Sequence, residues 1–218
     1  MRQHHLTISR NVRYATLGEV GDGLRQVWFV CHGYGQLAHR FLHSFSALDD
    51  GSRLIVAPEG LSRYYVDHAE RIVGASWMTV EDRLTDIADY LAYLDHLHDV
   101  VLAGVARDSV RLYVLGFSQG TATASRWTAL GKAHVDRLIL WGGLVPPDLD
   151  LEVLGGPLRA AQLTLVVGEE DETVHAAAIE REKARLQEAG IPYERVSFPG
   201  GHRLDRDVLA GLAVFSGG

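Results

Sequence analysis

Leu112-Tyr113-Val114-Leu115-Gly116-Phe117-Ser118-Gln119-Gly120-Thr121-Ala122-Thr123-Ala124 reads as a strand, a tight turn and a helix in a single pass. The four leading residues are apolar on both faces, which suits a strand inside a sheet covered on each side. Glycines two residues either side of Ser118 suit a turn where the strand and helix backbones come too close for larger side chains. The small residues from Thr121 to Ala124 begin a helical segment able to pack against that turn. A serine presented in this way fits the G-x-S-x-G nucleophile elbow, whose meaning depends on the strand before it and the helix after it.

Working outward, similar short apolar runs recur at Val27 to Cys31, Leu54 to Ala57, Leu138 to Trp141 and Leu163 to Val167. Between them lie helical patterns. The clearest is Leu84, Ile87, Ala88, Leu91, Leu94, Leu97 and Val101, mostly three or four apart, with Glu81 and Asp82 at its start and Gly104 after its end. A second helix is expected from about Ala176 to Ala189, stopped by Gly190 and Pro192. The opening segment, Leu6 to Leu17, reads as an antiparallel strand region, with Gly21-Asp22-Gly23 as the turn of an opening hairpin. The expectation is one α/β domain over residues 1–218: a doubly wound, mostly parallel sheet with an antiparallel N-terminal edge.

Bulk properties narrow the partners. A chain of 218 residues buries roughly 70% of its unfolded surface as one domain. Its net charge of −7, without any Lys/Arg cluster, disfavours nucleic acid and anionic membrane, both of which require clustered cations. No apolar run approaches the roughly 20 residues of a membrane helix, and no secretory signal is read in Met1 to Arg10. The single cysteine, Cys31, forms no internal disulfide and points to a reducing cytoplasm. Eleven histidines show no zinc-like spacing, and the elbow lacks the Lys-Ser/Thr ending of a phosphate loop, so neither metal nor nucleotide is expected.

A serine hydroxyl needs a base within hydrogen-bond reach and a carboxylate behind the base. For this elbow the chain order is Ser, acid, His. Downstream stand His134, His175 and His202. The first leads into a strand and the second opens a helix, whereas His202 lies in a tight loop after a strand ending at Phe198. It is the expected base. The strand Leu163 to Val167 ends in Gly168-Glu169-Glu170-Asp171-Glu172, at the sheet edge where ligands bind in open α/β folds. Asp171 is the favoured acid and Glu170 the next. Oxyanion donors are expected at the amide of Gln119 and, in the loop Cys31-His32-Gly33-Tyr34-Gly35-Gln36, at the amide of Tyr34.

His32-Gly33-Tyr34-Gly35, Gly116 to Gly120, Gly168 with Asp171 and Val174, and Gly201-His202 together resemble the phospholipase/carboxylesterase branch of the α/β hydrolases, which includes small bacterial esterases and acyl-protein thioesterases. The resemblance implies the α/β-hydrolase fold and a cofactor-free serine esterase, with Ser118, Asp171 and His202 as its triad. It also implies that Trp77 borders the site, that the loop Gly142 to Pro146, with Leu144 and Val145, forms an acyl pocket, and that Val174 belongs to the substrate-binding set. Glu172 departs from the family, which often has proline there. The segment Ser62 to Tyr65 has no assigned role.

No long apolar insertion suggests a lid, so small soluble esters of small or medium acyl chains are expected as substrates. An acyl thioesterase, a lysophospholipase, or a non-catalytic binding module of the same fold are the alternatives, and homodimerisation is left open.

Overall fold

The structure is a computed structural model and describes residues 1–214. Among the described residues, nine strands and seven α-helices follow one another. The strands are β1 (Tyr14–Leu17), β2 (Gln26–Cys31), β3 (Arg53–Pro58), β4 (Ser62–Asp67), β5 (Ile72–Ser76), β6 (Arg111–Phe117), β7 (Arg137–Trp141), β8 (Gln162–Gly168) and β9 (Tyr193–Phe198). The helices are α1 (Ala38–Leu42), α2 (Arg83–Val101), α3 (Gln119–Leu130), α4 (Leu151–Leu154), α5 (Gly156–Ala160), α6 (Ala176–Glu188) and α7 (Arg206–Ala213).

Seven strands form the main sheet in the order β1-β3-β2-β6-β7-β8-β9, parallel except for β1. Alternate residues of each strand feed two cores. Val27, Phe29 and Cys31 of β2 pack with α2, α3 and α6 on one face, through Tyr90, Trp127 and Leu186. Trp28 and Val30 pack with α1 and α7 on the other, through Phe41, Leu209 and Leu212. The period of two in strand side chains divides one apolar run between both layers, which is why these runs read as unbroken hydrophobics.

The expected opening hairpin is not formed. β1 is antiparallel but pairs with β3, Tyr14 opposite Pro58 and Leu17 opposite Ile55, and Leu6 to Arg13 lie in no strand. The physical reason is that both edges of β2 are taken by parallel partners, β3 and β6, so β1 pairs on the outer edge of β3 instead. The Gly21 turn does form, with Leu24 N–H donating to the Gly21 carbonyl at 3.0 Å. The unassigned segment from Ser62 is β4, which with β5 makes a separate two-stranded hairpin. This hairpin docks on the loop after β2, since Gly35 N–H donates to Ala75 O (2.9 Å) and Ala75 N–H to Gln36 O (3.2 Å).

The helix over α2 buries Ile87, Tyr90, Tyr93, Leu94 and Leu97, while Leu84 in its first turn is exposed. The chain steps from β2 to β3 on one side and resumes at β6 on the other. The carboxyl ends of β2 and β6 therefore flank a topological switch point, where open α/β sheets bind ligands.

Candidate active site

Ser118 stands at this switch point, between β6 and α3, with φ 53° and ψ −118°. A non-glycine residue in that region costs about 1–3 kcal/mol and persists only where its surroundings over-determine it. Here Ser118 N–H donates to Trp141 O (2.9 Å), and the Ser118 carbonyl accepts from Thr121 N–H (3.0 Å) and the Thr121 hydroxyl (2.7 Å). The flanking glycines meet backbone: a Cβ on Gly116 would run into the Gly120 carbonyl, and one on Gly120 into the Cys31 carbonyl.

The loops after β8 and β9 bring Asp171 and His202 together. Asp171 Oδ2 lies 2.8 Å from His202 Nδ1, while Asp171 Oδ1 accepts from Thr173 N–H at 2.8 Å. The loops are tied to each other by Glu169 N–H to Phe198 O (3.0 Å) and Glu170 N–H to Gly200 O (2.9 Å). Glu170 and Glu172 face solvent, so of the acidic run Asp171 is the residue joined to the histidine. Proline at 172 is not required to deliver it. The Asp171 side chain is 1% exposed and that of His202 28%. Burial pushes the Asp171 carboxyl up, but hydrogen bonds from His202 and the Thr173 amide outweigh it and hold it below the ordinary carboxylate value.

With Nδ1 donating to a carboxylate, His202 keeps Nε2 as its basic lone pair. Its ring lies 4.9 Å from that of Phe117, the residue before Ser118. Among the described residues neither the Ser118 hydroxyl nor His202 Nε2 is hydrogen-bonded to protein.

Opposite them lies the loop after β2. Its conformation is set by His32, which the sequence reading gave no role of its own. The buried imidazole accepts from Gly60 N–H at Nε2 (2.9 Å), so Nδ1 carries the proton and donates to Gly33 O (2.8 Å). Burial pushes its pKa down, against that hydrogen bond and the Glu59 charge, which keeps the ring neutral. Gly33 N–H donates to Gln36 Oε1 (2.8 Å), and Gly33 sits so near that a Cβ there would stand 3.2 Å from Ser118 Cβ. The Tyr34 and Gln119 N–H groups donate to no protein acceptor among the described residues. The Tyr34 ring is exposed and lies 5.3 Å from that of Tyr64.

A cavity of about 830 Å³ opens beside Gln119, with Met78, Ala122, Leu144, Val145 and Pro146 among its lining. Leu144 and Val145, expected in an acyl pocket, line this cavity. Trp77 and Val174 do not line it. The indole of Trp77 is buried in the core, with Nε1–H donating to His32 O (2.9 Å) and its ring 5.0 Å from that of His32. Val174 is buried beneath the acid loop, its amide 3.4 Å from Asp171 Oδ1. Both support the site from behind. The Gln119 side chain clips the Trp77 segment to the elbow, accepting from Trp77 N–H (3.1 Å) and donating to Met78 O (2.9 Å).

Sheet order, elbow and carboxylate–histidine pair define an α/β hydrolase. The pattern described as phospholipase/carboxylesterase matches residues 19–215. The chain belongs to the phospholipase/carboxylesterase family and is an ester-cleaving hydrolase. Three solved structures resemble it over nearly their whole length. Zea mays acyl-protein thioesterase 2 is 16% identical, with a TM-score of 0.69 over 92% of this chain and 96% of that one. The Bacillus cereus carboxylesterase is 13% identical, with a TM-score of 0.69 over 93% and 92%. Esterase PE8 is 20% identical, with a TM-score of 0.64 over 94% and 97%. At such identities the likeness carries the fold. No curated protein matches the sequence. Among the described residues no helix is long and apolar enough to cross a membrane.

Proposed function

We propose that the protein hydrolyses carboxylic esters of small or medium acyl chains through an acyl-enzyme on Ser118, with His202 as general base and Asp171 as the orienting acid. The observation that carries this reading is the 2.8 Å contact between His202 Nδ1 and Asp171 Oδ2 beside the strained Ser118. Ser118 Oγ attacks the ester carbonyl carbon and gives its proton to His202 Nε2. The carbonyl oxygen becomes an oxyanion held by the amides of Gln119 and Tyr34, each worth about 2.7–4 kcal/mol in the transition state. The C–O bond to the alcohol breaks as His202 returns the proton to the leaving oxygen. Water then repeats the sequence on the acyl-enzyme and frees the acid and Ser118. The open Ser118 to His202 geometry fits a resting site, since such hydrogen bonds tighten when substrate arrives. A thioester presents the same carbonyl carbon to the same nucleophile. The single cysteine, buried Cys31, fits a reducing cytoplasm.

Labelling with a fluorophosphonate, followed by mass spectrometry, tests the reading. The expected adduct is on Ser118, and Ser118→Ala is expected to lose both label and turnover while keeping its fold. A folded, unlabelled wild type would overturn it in favour of a binding module.

A further inference from the structure

The charged lining of the cavity beside Gln119 is lopsided. Arg83, Arg126, Arg181 and Arg185 face two carboxylates, Asp148 and Glu182, a surplus of two positive charges in a chain of net −7. Both carboxylates are already engaged. Asp148 Oδ1 accepts from Arg126 (2.7 Å) and Oδ2 pairs with Arg83. Glu182 accepts from Val145 N–H (2.9 Å) and from Arg185 (3.2 Å), whose other N–H groups go to the Val145, Pro146 and Leu149 carbonyls.

Donors are left over. They are not those of Arg126, which is 2% exposed and directs its Nη groups to Asp148 (2.7 Å) and the Tyr90 hydroxyl (3.3 Å). Arg181 pairs with no acidic side chain among the described residues. It shares one face of α6 with Ala178, Glu182 and Arg185, at helical spacings that turn all four toward the cavity. The exposed Arg181 guanidinium thus reaches the cavity with its donors free of any carboxylate, and its planar fork suits carboxylate and phosphate alike.

The geometry points to an ester substrate whose cavity-bound part ends in an oxyanion, carboxylate or phosphate, gripped by Arg181 with Arg83 and Arg126 behind it. This specificity rests on Ser118 being the nucleophile of the adjoining site.

Initial-rate kinetics on three p-nitrophenyl esters test it: butyrate, the monoester of glutaric acid, and the phosphonate analogue of that monoester. The wild type is expected to favour at least one anionic ester over butyrate by about tenfold or more in kcat/KM, and whichever is preferred names the oxyanion. Arg181→Glu is expected to reverse the anionic-to-neutral ratio, whereas Arg195→Gln, on β9 and outside the cavity, leaves it unchanged. Equal or better turnover of butyrate, or Arg181→Glu moving all three esters alike, overturns the inference while a fluorophosphonate label on Ser118 keeps the hydrolase reading. Loss of that label as well removes the hydrolase reading and the inference together.

Discussion

Gly142 faces the His202 imidazole so closely that a methyl group on its Cα would stand 2.9 Å from Cε1 and 3.0 Å from Nδ1. Its φ of +60° is itself a conformation that side chains disfavour. The residue that follows β7 thus forms one wall of the slot in which His202 is held.

Gly142→Ala is expected to push the imidazole off its position and lower kcat by about ten- to a hundredfold, as misplacement of a catalytic group by about 1 Å does. The left-handed backbone adds about 1–2 kcal/mol of destabilisation. Steady-state kinetics beside a urea titration separate the two effects. An alanine variant with unchanged kcat would mean that His202 is not confined from this side.

Asp171→Asn removes the acceptor that fixes the proton on His202 Nδ1, and kcat is expected to fall by about four orders of magnitude. Because the Asp171 carboxyl is held below its unfolded value of 3.8, it contributes stability above that pH and loses it as pH falls through the folded value. The stability gap between wild type and Asp171→Asn should therefore be constant at neutral pH and shrink below about pH 4. Chemical denaturation across that range checks it.

Gln119→Ala keeps the backbone amide proposed as an oxyanion donor but cuts the side-chain hydrogen bonds to Trp77 N–H and Met78 O. Met78 borders the cavity, so loosening its segment should raise KM by about fivefold, with a smaller change in kcat, in keeping with about 1 kcal/mol per hydrogen bond. A fall in kcat at constant KM would instead place the side chain in the chemical step.

Arg126→Met leaves Asp148 with Arg83 as its remaining cation, in a part-buried setting. Unfolding free energy is expected to drop by about 2–3 kcal/mol, toward the lower end for breaking a buried pair, because Asp148 is 36% exposed. A double variant that also carries Asp148→Leu should recover part of the loss, which a double-mutant cycle would show.

The five apolar runs and the elbow could be read directly because each is local: strand burial shows as composition, and the turn shows as paired glycines. Asp171 and His202 could be named as candidates because chain order and loop position leave few choices, and the two side chains do meet. What escaped depends on pairing across the chain. No feature of Tyr14 to Leu17 says that its partner is β3 and not β2, because that choice is made by which sheet edge stays open. The β4–β5 hairpin lacks a glycine turn, and its reversal uses Arg71 at φ 54°. Helix α7 did carry a signal, Asp205 capping the amides of Asp207 and Val208 before Val208, Leu209 and Leu212. Trp77 was misplaced because a tryptophan before a site loop reads the same whether its ring faces the pocket or, as here, the core.

The strain at Ser118 also bears on how this chain can change over generations. Glycine at 118 would relax the backbone and delete the proposed nucleophile in one substitution, so on that proposal stability and catalysis pull this position in opposite directions. A lineage released from selection for ester cleavage has an easy path to glycine there, and a serine retained at 118 in descendants is a record of continuing use.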